Sequence, residues 1–211
     1  PLLLDKDGKG LLHFDVVTAN PPFSLDKWGH DDASNDPFGR FRRGVPPKTK
    51  GDYAFITHMI ETLKPETGRM AVVVPHGVLF RASSGGKIRQ QLIEENLLDT
   101  VIGLPEKLFF GTGIPAAILV FKKQKTDKNV LFIDASREFK SGKNQNQLTE
   151  ENIQKEIDKC NSHFGNWEQI KRFELTPDVW NIDDGHLTPT MKMKREVIKE
   201  IYKNLYNKIY S

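Results

Sequence analysis

Five short apolar runs constrain this chain more than any other feature. They are Phe14–Ala19 (FDVVTA), Met70–Pro75 (MAVVVP), Asp99–Leu104 (DTVIGL), Ala116–Lys122 (AAILVFK) and Val130–Ile133 (VLFI). Their length and β-branched character predict strands. The nearly continuous apolar run of the first predicts burial on both faces. Helical spacing lies between them. Asp52–Leu63 puts Ala54, Phe55, Met59 and Leu63 on one side and Gly68 ends that segment, while Lys87–Glu95 carries Ile88, Leu92 and Ile93. Strand–helix–strand alternation predicts an α/β fold, a mainly parallel sheet with helices on both faces. Ligand chemistry in such a sheet sits beyond the carboxyl ends of its strands.

The character changes after Lys140, where KSGKNQNQ is polar and loop-like. Glu150–Phe164 then predicts an amphipathic helix with Ile153, Ile157 and Cys160 in register and acidic residues in its first turn. Ile170–Leu175 reads as a short strand, and Lys192–Tyr210 as one long basic helix with Ile198, Ile201, Leu205 and Ile209 as its stripe. The predicted organisation is therefore a domain over residues 1–150 and a small α+β appendage over 151–211.

With 211 residues and 37% hydrophobic content the chain can bury a core. Thirty-one basic against 28 acidic residues leave a formal charge of +3, which permits a nucleic-acid partner without specifying one. The single cysteine, Cys160, excludes an intramolecular disulfide and a cysteine-based zinc site, and predicts a reduced, cytoplasmic setting. The apolar runs are far shorter than the ~20 residues a bilayer requires, so no membrane span is expected. The first residues are PLLL without methionine, which reads as the start of a longer or trimmed protein.

The first apolar run stops at Asn20-Pro21-Pro22-Phe23. Asn-Pro alone marks a turn and nothing more. The four residues together, after a buried strand, carry chemistry. Proline fixes φ and removes backbone donors, so the Asn20 side-chain oxygen and the Pro21 carbonyl can form a rigid pair of acceptors beside the Phe23 ring. Two acceptors and a stacking ring suit a planar base with an exocyclic amine, adenine above all. A base in a duplex reaches such a pocket only by flipping out.

NPPF resembles the catalytic signature of adenine-specific DNA methyltransferases that use S-adenosylmethionine. The blocks NPPFSLDKWGHDDASNDPFGRFRRGVPPKTKGDYAFITHMI, MAVVVPHGVLFR, GKIRQQLIEENLLDTVIGLP and FFGTGIPAAILVFKK, continuing to REFKSGKNQNQLTEENI, are similar to the modification (methyltransferase) subunit of type I restriction–modification systems. The resemblance implies a Rossmann-like methyltransferase sheet with an antiparallel strand at Ala116–Lys122. It implies that Asn20 and Pro21 accept from the target amine, that Pro22 shapes the turn and that Phe23 stacks on the base. It implies direct methyl transfer to adenine N6, with DNA and the specificity and restriction subunits as partners.

The long loop from Ser24 to Gly51 interleaves Phe38, Arg40, Phe41, Arg42 and Arg43. Long loops are often functional, so Arg40, Arg42 and Arg43 are candidate phosphate contacts, against the alternative of a solvated charged loop. His76 is a candidate DNA or pocket residue, or a turn histidine. Gly111–Pro115 (GTGIP) offers a weak anion nest or a plain connection. Lys122, Lys123 and Lys125 read as a charged strand end. No histidine has metal-ligand spacing.

The family's glycine-rich cofactor turn and ribose-gripping acid normally precede NPPF. Only 19 residues stand before Asn20, and Gly8 and Gly10 do not form that motif. The expectation is a chain that keeps the target-base half, lacks most of the cofactor half and is inactive alone, with its first strand at an unpaired sheet edge. The last ~50 residues resemble the extreme C-terminus of long-chain acyl-CoA synthetases, in IKRF and LTPTMKMKR, which places that family's lysine at Lys194 after Thr190, with Met193 replacing its usual glycine. Two other readings follow: a non-catalytic DNA-binding or assembly fragment, and a fatty-acid ligase remnant.

Overall fold

The computed structural model describes residues 4–109, 112–142, 145–162, 165–166, 169–177, 180, 183–186 and 194–210. It divides into two compact units, residues 1–148 and 149–211.

The first unit is a mixed α/β fold built on a five-stranded sheet. Its strands are β1 (Val16–Ala19), β2 (Arg69–Pro75), β3 (Leu98–Gly103), β4 (Ala116–Lys122) and β5 (Leu131–Asp134). Its helices are α1 (Asp52–Glu61), α2 (Gly77–Phe80) and α3 (Ser83–Glu94). The strand order is β1-β2-β4-β3-β5. β1 runs parallel to β2 and β3 parallel to β5, while β4 is antiparallel to both of its neighbours. The sheet is thus less parallel than its strand–helix alternation predicts, because β4 is inserted between β2 and β3.

The register fixes the core. Met70, Val72 and Val74 lie opposite Phe121, Leu119 and Ala117, so all six share one face. Ile56, Ile60 and Leu63 from the α1 segment, and Ile88 and Leu92 from α3, pack into the same cluster. Among the described residues α1 and α3 thus gather on one face, whereas the alternation predicted helices on both. The other-face residues Ala71, Val73, Ile118 and Val120 are half-buried. Ile93, expected on the apolar stripe of α3, is exposed instead. Gly68 ends the α1 segment by close approach: a Cβ there would lie 2.6 Å from Leu63 Cβ and 2.5 Å from the Lys64 carbonyl oxygen.

β1 departs from expectation in its burial. It lies at the sheet edge as expected, paired with β2, but burial on both faces requires a packed layer on each face, and none of its residues is fully buried. Val16 is 63% exposed as a result.

The second unit holds α4 (Glu150–Asn161), α5 (Arg195–Ile201) and α6 (Lys203–Tyr210). The expected single helix over 192–210 is two: Tyr202, at φ −103° and ψ 32°, leaves helical geometry between them. Ile170–Leu175 is irregular rather than a strand. Among the described residues no helix is long and apolar enough to cross a membrane.

Candidate base-binding site

The carboxyl ends of β1, β2, β3 and β5 and the start of β4 lie along one edge of the sheet. Asn20 follows β1 at that edge. Asn20 and Pro22 are exposed, and Pro21 and Phe23 are half-buried. The Phe23 ring meets Phe109 edge to face, with centroids 5.6 Å apart and planes at 71°. Phe109 comes from the connection between β3 and β4, so two distant segments supply aromatic rings at one turn.

The turn is caught just beyond Phe23. Ser24 has φ +51°, a left-handed conformation that costs a non-glycine residue ~1 kcal/mol or more. Its backbone N–H donates to Asp52 Oδ1 at 2.7 Å, and its hydroxyl lies 3.4 Å from Oδ2. Arg81, at the end of α2, donates to the same Oδ2 at 3.3 Å. The Asp52 side chain is 5% exposed. Asp52 opens α1, where a carboxylate also complements the helix dipole.

The 24–51 loop is ordered against itself. Trp28 Nε1 donates to the Pro47 carbonyl at 3.0 Å, and its ring contacts Phe41 and His30. Gly51 is required where Trp28 closes on α1: a Cβ there would lie 2.8 Å from Trp28 Cδ1. Within this loop each candidate arginine has carboxylate partners. Arg40 grips Asp36 through Nε at 2.8 Å and Nη2 at 2.5 Å. Arg42 reaches Glu61 at 2.7 Å and Glu95 at 3.2 Å. Arg43, with a side chain only 1% exposed, binds Glu61 at 2.7 Å and Glu95 at 2.7 and 2.6 Å. Burial pushes the Glu95 carboxyl up, but hydrogen bonds and charge from Arg43 and Arg42 outweigh it and hold the group below its ordinary value. The same balance, with Arg40 as donor, keeps Asp36 low. The three candidate phosphate contacts are thus all paired, Arg40 with a residue four positions away and Arg42 and Arg43 with residues 18 to 53 positions away.

His76 follows β2 at the site edge. Its N–H donates to the Pro115 carbonyl at 3.0 Å, and its Nε2 is buried with no partner among the described residues. In GTGIP, Gly111 lies outside the described residues, and the Ile114 N–H is taken by Thr112 Oγ1 at 3.1 Å. Lys122 lies 3.4 Å from Asp99, and Lys125 donates to the Leu98 carbonyl at 2.8 Å. Burial holds the Lys123 amine below its ordinary value. Lys194 is exposed, while Thr190 and Met193 lie outside the described residues.

The turn at Gly8 and Gly10 does not fit S-adenosylmethionine. Gly8 N–H donates to the Asp5 carbonyl at 3.1 Å, Lys9 N–H to Asp5 Oδ1 at 3.0 Å, and Asp5 N–H to the Gly10 carbonyl at 2.9 Å. A Cβ on Gly10 would meet Asp5 Oδ2 at 2.7 Å. The turn closes on Asp5, and its amides are already engaged.

The family model for N-6 DNA methylases matches residues 3–200. The chain belongs to the N-6 DNA methylase family. It is 34% identical over 180 residues to the type I restriction enzyme MjaVII methylase subunit of Methanocaldococcus jannaschii, covering 80% of this chain and 30% of that protein. It is 39% identical over 153 residues to the MpnII methylase subunit of Mycoplasma pneumoniae, covering 71% and 28%. The crystal structure of the type I restriction–modification system methyltransferase subunit from Streptococcus thermophilus superimposes with a TM-score of 0.66 at 45% identity, over 72% of this chain and 32% of that one. The chain thus spans less than a third of the length of these relatives. The methylase match crosses the segment that resembles an acyl-CoA synthetase and runs on to residue 200.

Three residues of this methylase-family site escape a local reading. Asp52 and Arg81 carry a weak signal, an acid opening one helix and a base closing another. Phe109 carries none beyond its place after a strand.

Proposed function

We propose that this chain supplies the base-holding part of a type I DNA adenine-N6 methyltransferase. Asn20 and Pro21 accept the two protons of an extruded adenine's amine, Pro22 shapes the turn, and Phe23 stacks on the ring. With both protons held, the amine nitrogen would attack the methyl group of a sulfonium donor directly, the C–S bond breaking as the N–C bond forms and one amine proton then leaving, without a covalent enzyme intermediate. The observation that carries this reading is an exposed Asn20 and a half-buried Phe23 on a proline-stiffened turn at the carboxyl edge of the sheet. S-Adenosylmethionine is the family's methyl donor. The turn at Gly8 and Gly10 does not fit it, and on this reading the chain transfers no methyl group alone and works with a cofactor-binding half. The specificity and restriction subunits of a type I system are the further partners, in the cytoplasm.

Arg42 is the arginine we assign to DNA phosphate, because its side chain is 49% exposed, whereas Arg43 and Arg40 brace the loop. We read the segment after Thr149 as part of the methylase family, and Lys194 as the solvated start of a helix rather than a ligase lysine.

The test compares two labelled single strands by fluorescence anisotropy, one with a lone adenine among thymines and one with N6,N6-dimethyladenine at that position. Two lost hydrogen bonds of ~1 kcal/mol each predict a preference of about tenfold or more for adenine. Asn20→Ala removes one of the two acceptors, cuts the preference to about threefold to fivefold and leaves salt-dependent backbone binding. Equal affinity for the two strands in the unaltered chain overturns the reading, and methyl transfer by the chain alone overturns its dependence on a second half.

A further inference from the structure

We propose that Asp52 is the positioning residue of the base-holding turn, an inference that rests on the reading above. Pro21 and Pro22 have no N–H, so two successive backbone donors are missing just where the turn has to be stiff. On its upstream side the turn is fixed by the β1–β2 ladder, which ends at Ala19 opposite Val72. On its downstream side it is caught by Asp52, whose Oδ1 accepts the Ser24 N–H at 2.7 Å. That bond holds Ser24 at φ +51°, a conformation its own side chain disfavours. Released, Ser24 relaxes toward negative φ and carries Phe23 with it.

Asp52 is itself held from two sides. It is the first residue of α1, whose Ile56 and Ile60 are fully buried in the core. Its second oxygen accepts from Arg81 at 3.3 Å. Arg81 closes the short helix that follows β2. That helix is tied down by Tyr53 Oη donating to the Val78 carbonyl at 3.0 Å and by Arg89 donating to the Val78 and Arg81 carbonyls at 3.0 and 3.1 Å. The carboxylate therefore joins the exits of two adjacent parallel strands, β1 and β2, through one buried group. A side chain in this place sets where Asn20 and Phe23 sit without touching the base.

The test uses the full chain with the two strands described above, and adds amide exchange at Ser24 measured by NMR. Asp52→Ala frees the Ser24 amide and lowers the adenine preference from about tenfold toward unity, with backbone binding retained. Asp52→Asn keeps an acceptor at the same place and retains most of the preference. Asp52→Glu keeps the charge but moves the acceptor by one methylene, and loses preference as Asp52→Ala does. This pair answers the question even where Asp52→Ala does not fold. A merely structural or charge-balancing role gives the opposite order, with Asp52→Glu close to the unaltered chain and Asp52→Asn close to Asp52→Ala, and that order overturns the inference. An unaltered chain without adenine preference brings down the base-holding reading itself. A preference that survives Asp52→Ala with the Ser24 amide freed brings down the inference alone.

Discussion

The two compact units make opposite use of similar sequence patterns. Helix α1 and the pair α5–α6 each carry an apolar stripe at helical spacing. In the first unit that stripe is covered: Ile56, Ile60, Val72 and Ile88 are fully buried in one cluster with β2 and β4. In the second unit, among the described residues, only His186 and Tyr202 are buried. Ile201 and Tyr210 are exposed, and an open groove of about 220 Å³ runs between Ile198, Tyr202, Leu205, Tyr206 and Ile209. The ion pairs differ in the same way. The Arg43 side chain is buried between Glu61 and the more open Glu95, whereas Lys208, itself exposed, meets the half-buried Glu174 at 2.6 Å. Periodicity reports that a helix has an apolar side. Only a sheet or another helix laid against it turns that side into a core.

The sharpest way to break this comparison is to truncate one isoleucine from each unit. Ile60→Ala should cost about 3 kcal/mol in urea unfolding, since it removes three methyl or methylene groups from a packed cluster. Ile201→Ala should cost ~0.5 kcal/mol or less. Equal losses would mean that the second unit has a core of comparable weight.

A smaller effect separates the ion pairs. Arg43→Met leaves Glu61 and Glu95 to the exposed Arg42 alone and should lose about 2–3 kcal/mol, because the buried member of the network is gone. Lys208→Met should leave the unfolding midpoint unchanged, as expected of an exposed pair. A midpoint for Arg43→Met as stable as the unaltered chain would place that network with the surface pairs.

The smallest effect is in pH. Asp36 and Glu95 are held below their ordinary values in the folded chain, so the unfolded chain binds protons first as pH falls. Their stabilisation is present above the unfolded values, near ~4, and is lost as pH drops through the lower folded values. His58 is held low by burial, with the Arg40 charge adding. Its contribution begins to erode earlier, below the unfolded value of ~6.5. Urea midpoints from pH 7 to pH 3 should therefore decline gently and then steeply. In Arg43→Met the steep part should shrink, and a decline of unchanged size would show that Glu95 does not drive it.

Much of the first unit was legible in the sequence. Ala116–Lys122 is a strand with the expected bounds, and it is antiparallel. The α4 start at Glu150 was marked by its acidic first turn. The failures have a common cause. Phe14–Ala19 looked buried on both faces, but that depends on what packs over each face of the sheet. Lys192–Tyr210 kept one stripe through Tyr202, and the stripe says nothing of a backbone break. The pairing of Arg42 and Arg43 was hidden because their partners lie outside any local window, with Glu95 more than 50 residues from Arg43, whereas Arg40 meets Asp36 only four residues away.

By itself the sequence determined the strands of the first unit and the stiff corner at Asn20–Phe23, because apolar periodicity and proline's fixed φ and missing donor act within a few residues. Tertiary structure alone decided what holds that corner and which charges remain available. Ser24 meets Asp52 across 28 residues, and Asp52 meets Arg81 across 29. Such contacts depend on the register of β1 on β2 and on α1 seated in the core, and neither is written in the residues that make the contact.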